Sequence, residues 1–411
     1  MQVLYPRCCG LDVHKKDVKA CALLTAANGT TTSQVRTFST MTDGLLALAD
    51  WLRGLGITDV AMESTGIYWR PVYNILEDDC TVILVNARHI KAVPGRKTDV
   101  KDSEWLADLL RHGLLTASFI PPAPSRELRD LTRYRKTLIA ERAQEANRLQ
   151  KVLETANIKL AMVATNVLGV SGRQMLLAML GGEQDADVLA ELARGRRREK
   201  LPLLRRALVG RVRPSHLALR DRILAHVDFL EGSIAALQEE IDHCLAPFAQ
   251  AVALLVTIPG VGEQAAATIV AEIGTDMNRF PSAKHLASWA GVCPGNRESA
   301  GKRKSGKPTD GTRWLKAVLG EVAWAVTHTR DNYLVTQYQR IARRRGKLKA
   351  VGAVMHSVLV IVYHLLREGQ PYRELGADYF DRQDTARLER HHVNRLKALG
   401  YDVVLTPLVA A

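Results

Sequence analysis

The sequence predicts an α/β domain followed by two helical segments, and three of its features set that division. Before residue 120, short β-type apolar runs alternate with helical stretches, as in an α/β layer. Pro121, Pro122 and Pro124 then interrupt the chain, and from Ser125 onward it turns helical and highly charged. Later, Ile223, Val227, Leu230, Ile234, Leu237 and Ile241 recur at spacings of 4, 3, 4, 3 and 4, a heptad seam that suits a coiled coil. The expected domains are 1–120, 121–250 and 251–375, with a tail at 376–411.

In the first of these, Cys8-Cys9-Gly10-Leu11-Asp12-Val13-His14 reads as a buried strand. Its partner, Val18 to Leu24, lies across a tight Lys-Lys-Asp turn, so Asp12 projects near a hairpin. Asp59-Val60-Ala61-Met62-Glu63 is another β-type run, and Ser64-Thr65-Gly66 stops it with Glu63 at its carboxyl end. A short helix precedes the strand Thr81 to Val85. Lys97 to Leu110 then reads as a helix that Thr98 or Asp99 can cap; Asp99 and Asp102, at i and i+3, face the same way.

Taken singly, Asp12 suits a turn, Glu63 a strand end and Asp99 a helix cap. As a set, these acids and Asp102 sit in otherwise apolar stretches, where an uncompensated carboxylate is costly. Carboxylate oxygens are the ligands magnesium prefers, and paired ions of this kind serve phosphoryl chemistry. The four acids are therefore expected to hold Mg2+, with Mn2+ able to substitute.

Composition points to a polyanionic partner. The 411 residues carry 57 Lys+Arg against 43 Asp+Glu, a net charge of +14. The cations are clustered at Arg194 to Arg206, at Arg297, Lys302, Arg303, Lys304 and Lys307, and at Arg340, Arg343, Arg344, Arg345, Lys347 and Lys349. Any one block suits a solvated surface, whereas three beside an acid cluster favour nucleic acid. The six cysteines show no CxxC pair and no zinc spacing, and read as reduced thiols. No signal-peptide layout and no spanning apolar run is expected; Ala350 to Leu366 reads as a buried helix.

Between the helical stretches, Gly181-Gly182 and the Arg194 to Arg206 block suggest a loop or mobile tip. The heptad seam has two readings, packing on Leu128 to Leu160 of the same chain or on a second copy. Leu255 to Gly262 followed by the Ala-rich run Glu263 to Ile273 suits a helix-hairpin-helix, with Gly260 and Gly262 opening backbone N–H groups toward a phosphate. A tight turn between packed helices would look the same. Ala290 to Lys307 is a basic loop rich in small residues; from the residues alone, neither Ser299 nor Ser305 is preferred as a nucleophile.

Several of these runs together resemble a known family. Gly10 to Lys15, Met62 to Tyr68, Lys97 to Asp102 and Leu106-Ala107 are similar to the DEDD motifs of the insertion-sequence-110 family of bacterial transposases. Ile258 to Gly262, Ala290 to Pro294 and Glu298-Ser299-Ala300-Gly301 are similar to that family's second conserved domain. The resemblance implies an RNase H-like domain of the RuvC type, an all-α coiled-coil middle and a mostly α transposase domain carrying the serine. Carried over by position, Asp12, Glu63, Asp99 and Asp102 hold magnesium beside the scissile phosphate, and Ser299 attacks it to form a covalent phosphoserine link.

The resemblance further implies donor and target DNA as partners, a structured guide RNA, a homodimer or homotetramer with a composite site, and a bacterial cytoplasmic location without a membrane. Lys15, Gly260, Gly262, Arg297, Lys302, Arg303, Lys304, Arg343, Arg344 and Arg345 are the expected nucleic-acid contacts. Ala300 stands where many relatives carry glycine, and Ser305-Gly306 repeats the serine-glycine pair. A water-using RuvC-like endonuclease needs the acids without the serine. A non-catalytic DNA-binding protein explains the charge and not the acids, and a sugar-kinase-like ATPase requires glycine-rich phosphate loops that Asp12-Val13-His14-Lys15-Lys16 does not provide.

Overall fold

The computed structural model describes residues 2–64, 66–86, 102–295, 297–299, 301–306, 308, 310–383 and 385–406. They form two compact units, Met1–Ile120 and Pro121–Ala411.

The first unit is built on one mixed sheet. β1 (Arg7–Val13), β2 (Asp17–Thr25) and β3 (Thr31–Ser39) form an antiparallel meander, and β4 (Asp59–Glu63) and β5 (Thr81–Val85) add parallel to β1, giving the order β3-β2-β1-β4-β5. β1 is central and covered on both faces, which explains its unbroken apolar run. Cys9, Leu11 and Val13 pack toward α1 (Thr42–Gly54) and α2 (Trp69–Leu76). Cys8 instead clusters with Cys21, Leu23 and Ala61 against Ala107 and Leu110 of α3 (Asp102–Arg111).

Strand β3 was not expected from the sequence. Its residues, TTSQVRTFS, are mostly polar and exposed, as a one-sided edge strand permits. Chain direction in α3 is fixed by a close crossing. A Cβ on Gly10 would lie 2.2 Å from the Ser103 carbonyl oxygen and 2.4 Å from the Ala107 nitrogen, while Cys8 Sγ lies 3.6 Å from the Ala107 oxygen. As β1 runs from Cys8 to Gly10, its neighbours on α3 step back from Ala107 to Ser103, so the helix is antiparallel to the strand.

The second unit is helical. Its long helices α4 (Ala123–Thr155) and α9 (Pro214–Leu245) run antiparallel: Arg142 pairs with Glu231, Glu145 with His226, and the Arg211 N–H donates to the Ala156 carbonyl. Prolines at the first helical turn suit both starts, where the missing N–H costs nothing. Of the seam residues, Val227, Leu230 and Ile241 are buried within this unit, whereas Ile223, Ile234 and Leu237 are half-buried.

Between those helices, the loop or mobile tip expected near Arg194 to Arg206 is instead part of a folded helical segment, 157–213. It folds as α5 (Leu160–Val163), α6 (Val170–Leu180), α7 (Ala186–Glu191), a 3-10 turn (Gly195–Lys200) and α8 (Leu201–Leu208). Leu176, Leu189, Ala190 and Leu204 make a core there. Part of the basic block is engaged locally: Arg197 donates to the Asn166 carbonyl at 2.9 Å, and Arg198 and Arg205 pair with Glu191. High charge masked the apolar positions, among them Leu160, Leu168, Met175, Leu176, Met179 and Leu208, that this segment buries.

The rest comprises α10 (Ala249–Val256), α11 (Glu263–Ile273), α12 (Ala283–Trp289), a two-stranded ribbon β6 (Arg297–Ser299) and β7 (Lys302–Ser305), then α13 (Arg313–Val326), α14 (Tyr333–Arg345), α15 (Lys347–Glu368), α16 (Tyr379–Gln383) and α17 (Thr385–Ala398). By length and composition α15 could cross a membrane. Its Val354, Val358, Leu359 and Val362 are nevertheless buried in this unit, as for a core helix.

Candidate active site

Strand register gathers the acids of the first unit. β1 and β4 pair in parallel through Leu11 and Met62, so Asp12 and Glu63 stand one step beyond, at the carboxyl ends of adjacent strands. Side chains alternate faces along a strand. Leu11 and Met62 point into the α1–α2 core, and Asp12 and Glu63 therefore take the α3 face, with Gly10 and Ala61. Because α3 runs antiparallel to β1, Asp102, its first residue, lies toward the Asp12 end of the sheet. Three predicted acids thus come to one edge of one face.

Gly10 is what lets α3 approach so closely, since any side chain would meet helix backbone. Asp12 is partly exposed, at 23 %, and shares a 3.1 Å hydrogen bond with His14 Nε2. Lys19 pairs directly across from Asp12 on β2 and is exposed. Cross-strand partners share a face, so this lysine is a cationic neighbour that sequence reading missed; only the hairpin register identifies it. Lys15 is exposed in the hairpin turn, where its carbonyl accepts from Thr40 Oγ1 at 2.9 Å. Ser103, 1 % exposed, has an Oγ with no hydrogen-bond partner among the described residues.

Asp99 lies outside the described residues. Among those described, no group of three or more His, Cys, Asp or Glu is drawn together closely enough to hold a metal ion. The donor chemistry, all carboxylate oxygen, fits a hard divalent cation such as magnesium. The thiols nearby do not compete for that role: burial pushes Cys8 up to about 12 and holds Cys9 well above its ordinary range.

The serine of the second unit sits on the ribbon. Ser299 pairs with Lys302 at the last rung before the turn, and Gly301 at φ 72° supplies the left-handed residue that a tight turn needs. Ser305 pairs with Arg297 at the opposite end, beside the Gly295 N–H to Gly306 carbonyl bond of 3.2 Å. Ser299 is thus at the tip and Ser305 at the root, a distinction that composition could not make. The basic segment expected as a flexible loop contains an antiparallel pair.

The root is clamped. A Cβ on Gly311, at φ 51°, would lie 2.2 Å from the Ala290 carbonyl oxygen, which pins the end of α12 to the start of α13. Next to it, Thr312 Oγ1 donates to Glu272 Oε2 at 3.2 Å. Glu272 is fully buried at the end of α11 and takes a bidentate pair from Arg133 of α4, at 2.7 and 2.9 Å. Sequence reasoning missed this network, because its members are far apart along the chain.

The remaining predicted contacts divide. Gly262 caps α11 and is open, whereas Gly260, at φ 84°, is required by packing: a Cβ there would lie 2.9 Å from Val326 Cγ2. Glu263 to Ile273 is helical as expected, preceded by α10 and a short turn. Arg343, Arg344 and Arg345 are exposed at the end of α14, and Lys302 is exposed on the ribbon. Arg297 lies on β6 and Arg303 and Lys304 on β7.

Comparison with known proteins adds to this geometry. A family profile for DEDD transposases of IS110, described as "Transposase", matches residues 9–158. A second, described as "Transposase IS116/IS110/IS902 family", matches residues 252–339. The 43.6 kDa protein of insertion element IS110 from Streptomyces coelicolor is 28% identical over 320 residues, covering 68% of this chain and 73% of its own. The pilin gene-inverting protein of Moraxella bovis is 30% identical over 140 residues, 32% of this chain and 42% of its own. That of Moraxella lacunata is 32% identical over 126 residues, 29% of this chain and 38% of its own.

Proposed function

The chain belongs to the IS110 family of transposases and is an enzyme that acts on DNA, and we propose that it recombines DNA through four acids and a serine nucleophile. In this reading Asp12, Glu63, Asp99 and Asp102 hold Mg2+, and Ser299 Oγ attacks the scissile phosphorus. A bound ion would supply charge stabilisation on the phosphoryl oxygens. The Ser299 O–P bond forms as a strand P–O bond breaks, and the departing oxygen takes a proton. A strand-end hydroxyl later displaces the serine, so the energy of the phosphodiester is conserved in the covalent link.

The observation that supports this reading is that Asp12 and Glu63 stand at the carboxyl ends of adjacent paired strands, while Asp102 opens the helix packed on the same face. The strand order β3-β2-β1-β4-β5 supports an RNase H-like assignment for the first unit. Ser299 is favoured over Ser305 by its place at the ribbon tip, where a nucleophile can reach a duplex backbone. His14 orients the Asp12 carboxylate through their hydrogen bond, and Lys19 and Lys15 offset acidic charge beside the phosphate.

The further elements of the proposal are a homo-oligomer in which the acids and the serine of different copies complete each other, and a structured guide RNA. The exposed Arg343 to Arg345 cluster supports a second nucleic-acid ligand.

Metal titration of Asp12→Ala against the parent protein tests the acids. The parent should cleave DNA only with Mg2+ or Mn2+, and Asp12→Ala should bind DNA normally and cleave about 10³-fold more slowly or worse. Cleavage of equal rate in both would remove the acids from the mechanism.

A further inference from the structure

A cavity of about 110 Å³ opens in the second unit between α4, α9, α11 and α13. It is several times the ~10–15 Å³ that one water requires. Arg133, Arg135, Lys136, Gln264, Thr268 and Trp314 are among the residues lining it. None of them belongs to the proposed acid site or to the serine ribbon.

Its charges do not balance. Arg133 is satisfied by Glu272, at 2.7 and 2.9 Å, and Lys136 pairs with Glu321. Arg135 has no acidic partner among the described residues, and its buried Nε has no hydrogen-bond acceptor. Arg135 is half-buried, and a buried donor atom without an acceptor is unfavourable, a deficit that a ligand oxygen in the cavity would relieve. What the Arg135 Nε lacks is one acceptor, which an anionic phosphodiester oxygen can supply.

The other walls suit the same ligand. Gln264 and Ala265 belong to the first turn of α11, whose leading N–H groups have no helical acceptor and whose dipole favours an anion. The Trp314 ring carries the Arg313 guanidinium at 4.6 Å and that of Arg133 at 5.8 Å, which holds positive charge along one side. At the mouth, Lys136 and Glu321 have side chains 43% and 60% exposed, so the cavity is reachable from solvent.

We infer that this cavity seats one backbone phosphate of nucleic acid, with Arg135 as its principal ligand and Glu321 as a competing anion that holds Lys136 aside. The inference rests on the reading of the chain as a DNA-acting enzyme and is independent of which group is the nucleophile. The phosphate can come from DNA or from RNA, since the seat recognises only the phosphodiester.

The test compares full-length parent, Arg135→Gln and Glu321→Gln by fluorescence anisotropy with a labelled DNA duplex and a labelled RNA hairpin over a range of salt. Arg135→Gln should lower the slope of log affinity against log salt by about 0.9 and weaken binding about fivefold to tenfold near 0.1 M salt. Glu321→Gln should tighten binding, an outcome that a folding defect does not mimic. A change with only one of the two probes assigns the seat to that nucleic acid.

Inorganic phosphate should raise the melting temperature of the parent and not that of Arg135→Gln. Unchanged slopes in both variants with both probes, or equal protection of parent and Arg135→Gln by phosphate, would overturn the seat. Binding is measured without cleavage, so a failure of Ser299 as nucleophile would leave this result standing.

Discussion

The acid edge of the first unit and the serine ribbon of the second place chemical groups by contrasting means. Asp12 and Glu63 extend from adjacent strands whose central residues are sealed on both faces, and Gly10 brings α3 to within backbone contact of β1. Ser299 stands at the end of two short strands that pair only with each other, tied at their root through Gly311 and through Thr312 to Glu272. Groups that share a metal need a fixed mutual geometry, and a close-packed sheet provides it. In the proposed reading the nucleophile must reach a phosphate outside the protein, which suits the turn end of a short ribbon tied at its root.

If that contrast is right, damage to each support should have its own signature. The largest effect on stability is expected at the ribbon's base. Glu272→Ala leaves the half-buried Arg133 without its bidentate partner; breaking a fully buried pair costs about 3–5 kcal/mol, and the partial exposure of Arg133 puts the expected loss at the lower end. Denaturant unfolding should register this loss in the second unit, while the acid edge keeps its fold.

At the acid edge, Gly10→Ala forces a methyl group against helix backbone at 2.2 Å. A cost of about 1–3 kcal/mol is expected, together with a fall in metal-dependent cleavage larger than the fall in DNA affinity. Equal stability in Gly10→Ala and the parent would mean that α3 does not press on β1 as described.

The smallest effect concerns pH. Burial raises the Cys8 thiol from 9.0 to about 12 in the folded chain. The folded value is the higher one, so the stability this thiol supports is complete below pH 9.0 and declines as pH rises from there toward 12. Unfolding measured across that window should show a shallower decline for Cys8→Ala than for the parent. Under native conditions near pH 8, Cys8 and Cys9 should also resist alkylation.

What the sequence made legible follows the range of the interactions involved. The Asp12 strand and its hairpin, the strand ending at Glu63 and the helix from Glu263 to Ile273 were readable, because two-residue alternation, turn residues and helix period are local signals. Strand β3 was not, since an exposed edge carries no apolar alternation. The stretch near Arg194 to Arg206 was read as a loop or mobile tip because its charge drew more notice than the apolar residues, such as Leu204 and Leu208, that it buries.

For the candidate site, the four acids and the serine stood out as residue types in motifs. The partners that frame them did not. Lys19 is identified by hairpin register, and the Arg133–Glu272–Thr312 chain joins residues up to 139 and 40 positions apart. No local pattern encodes such separations. Asp99, legible as a helix cap, lies outside the described residues.

The central claim is that the acids are one half of the chemistry and Ser299 the other. Its most direct measurement is peptide mapping by mass spectrometry of a protein–DNA adduct trapped with a nicked substrate and denatured before analysis. The account predicts a denaturation-resistant adduct whose phosphate is carried by the peptide containing Ser299, absent from Ser299→Ala and dependent on Asp12. DNA cut and rejoined at the parent rate by Ser299→Ala, with no adduct in either protein, would contradict it and make water the nucleophile.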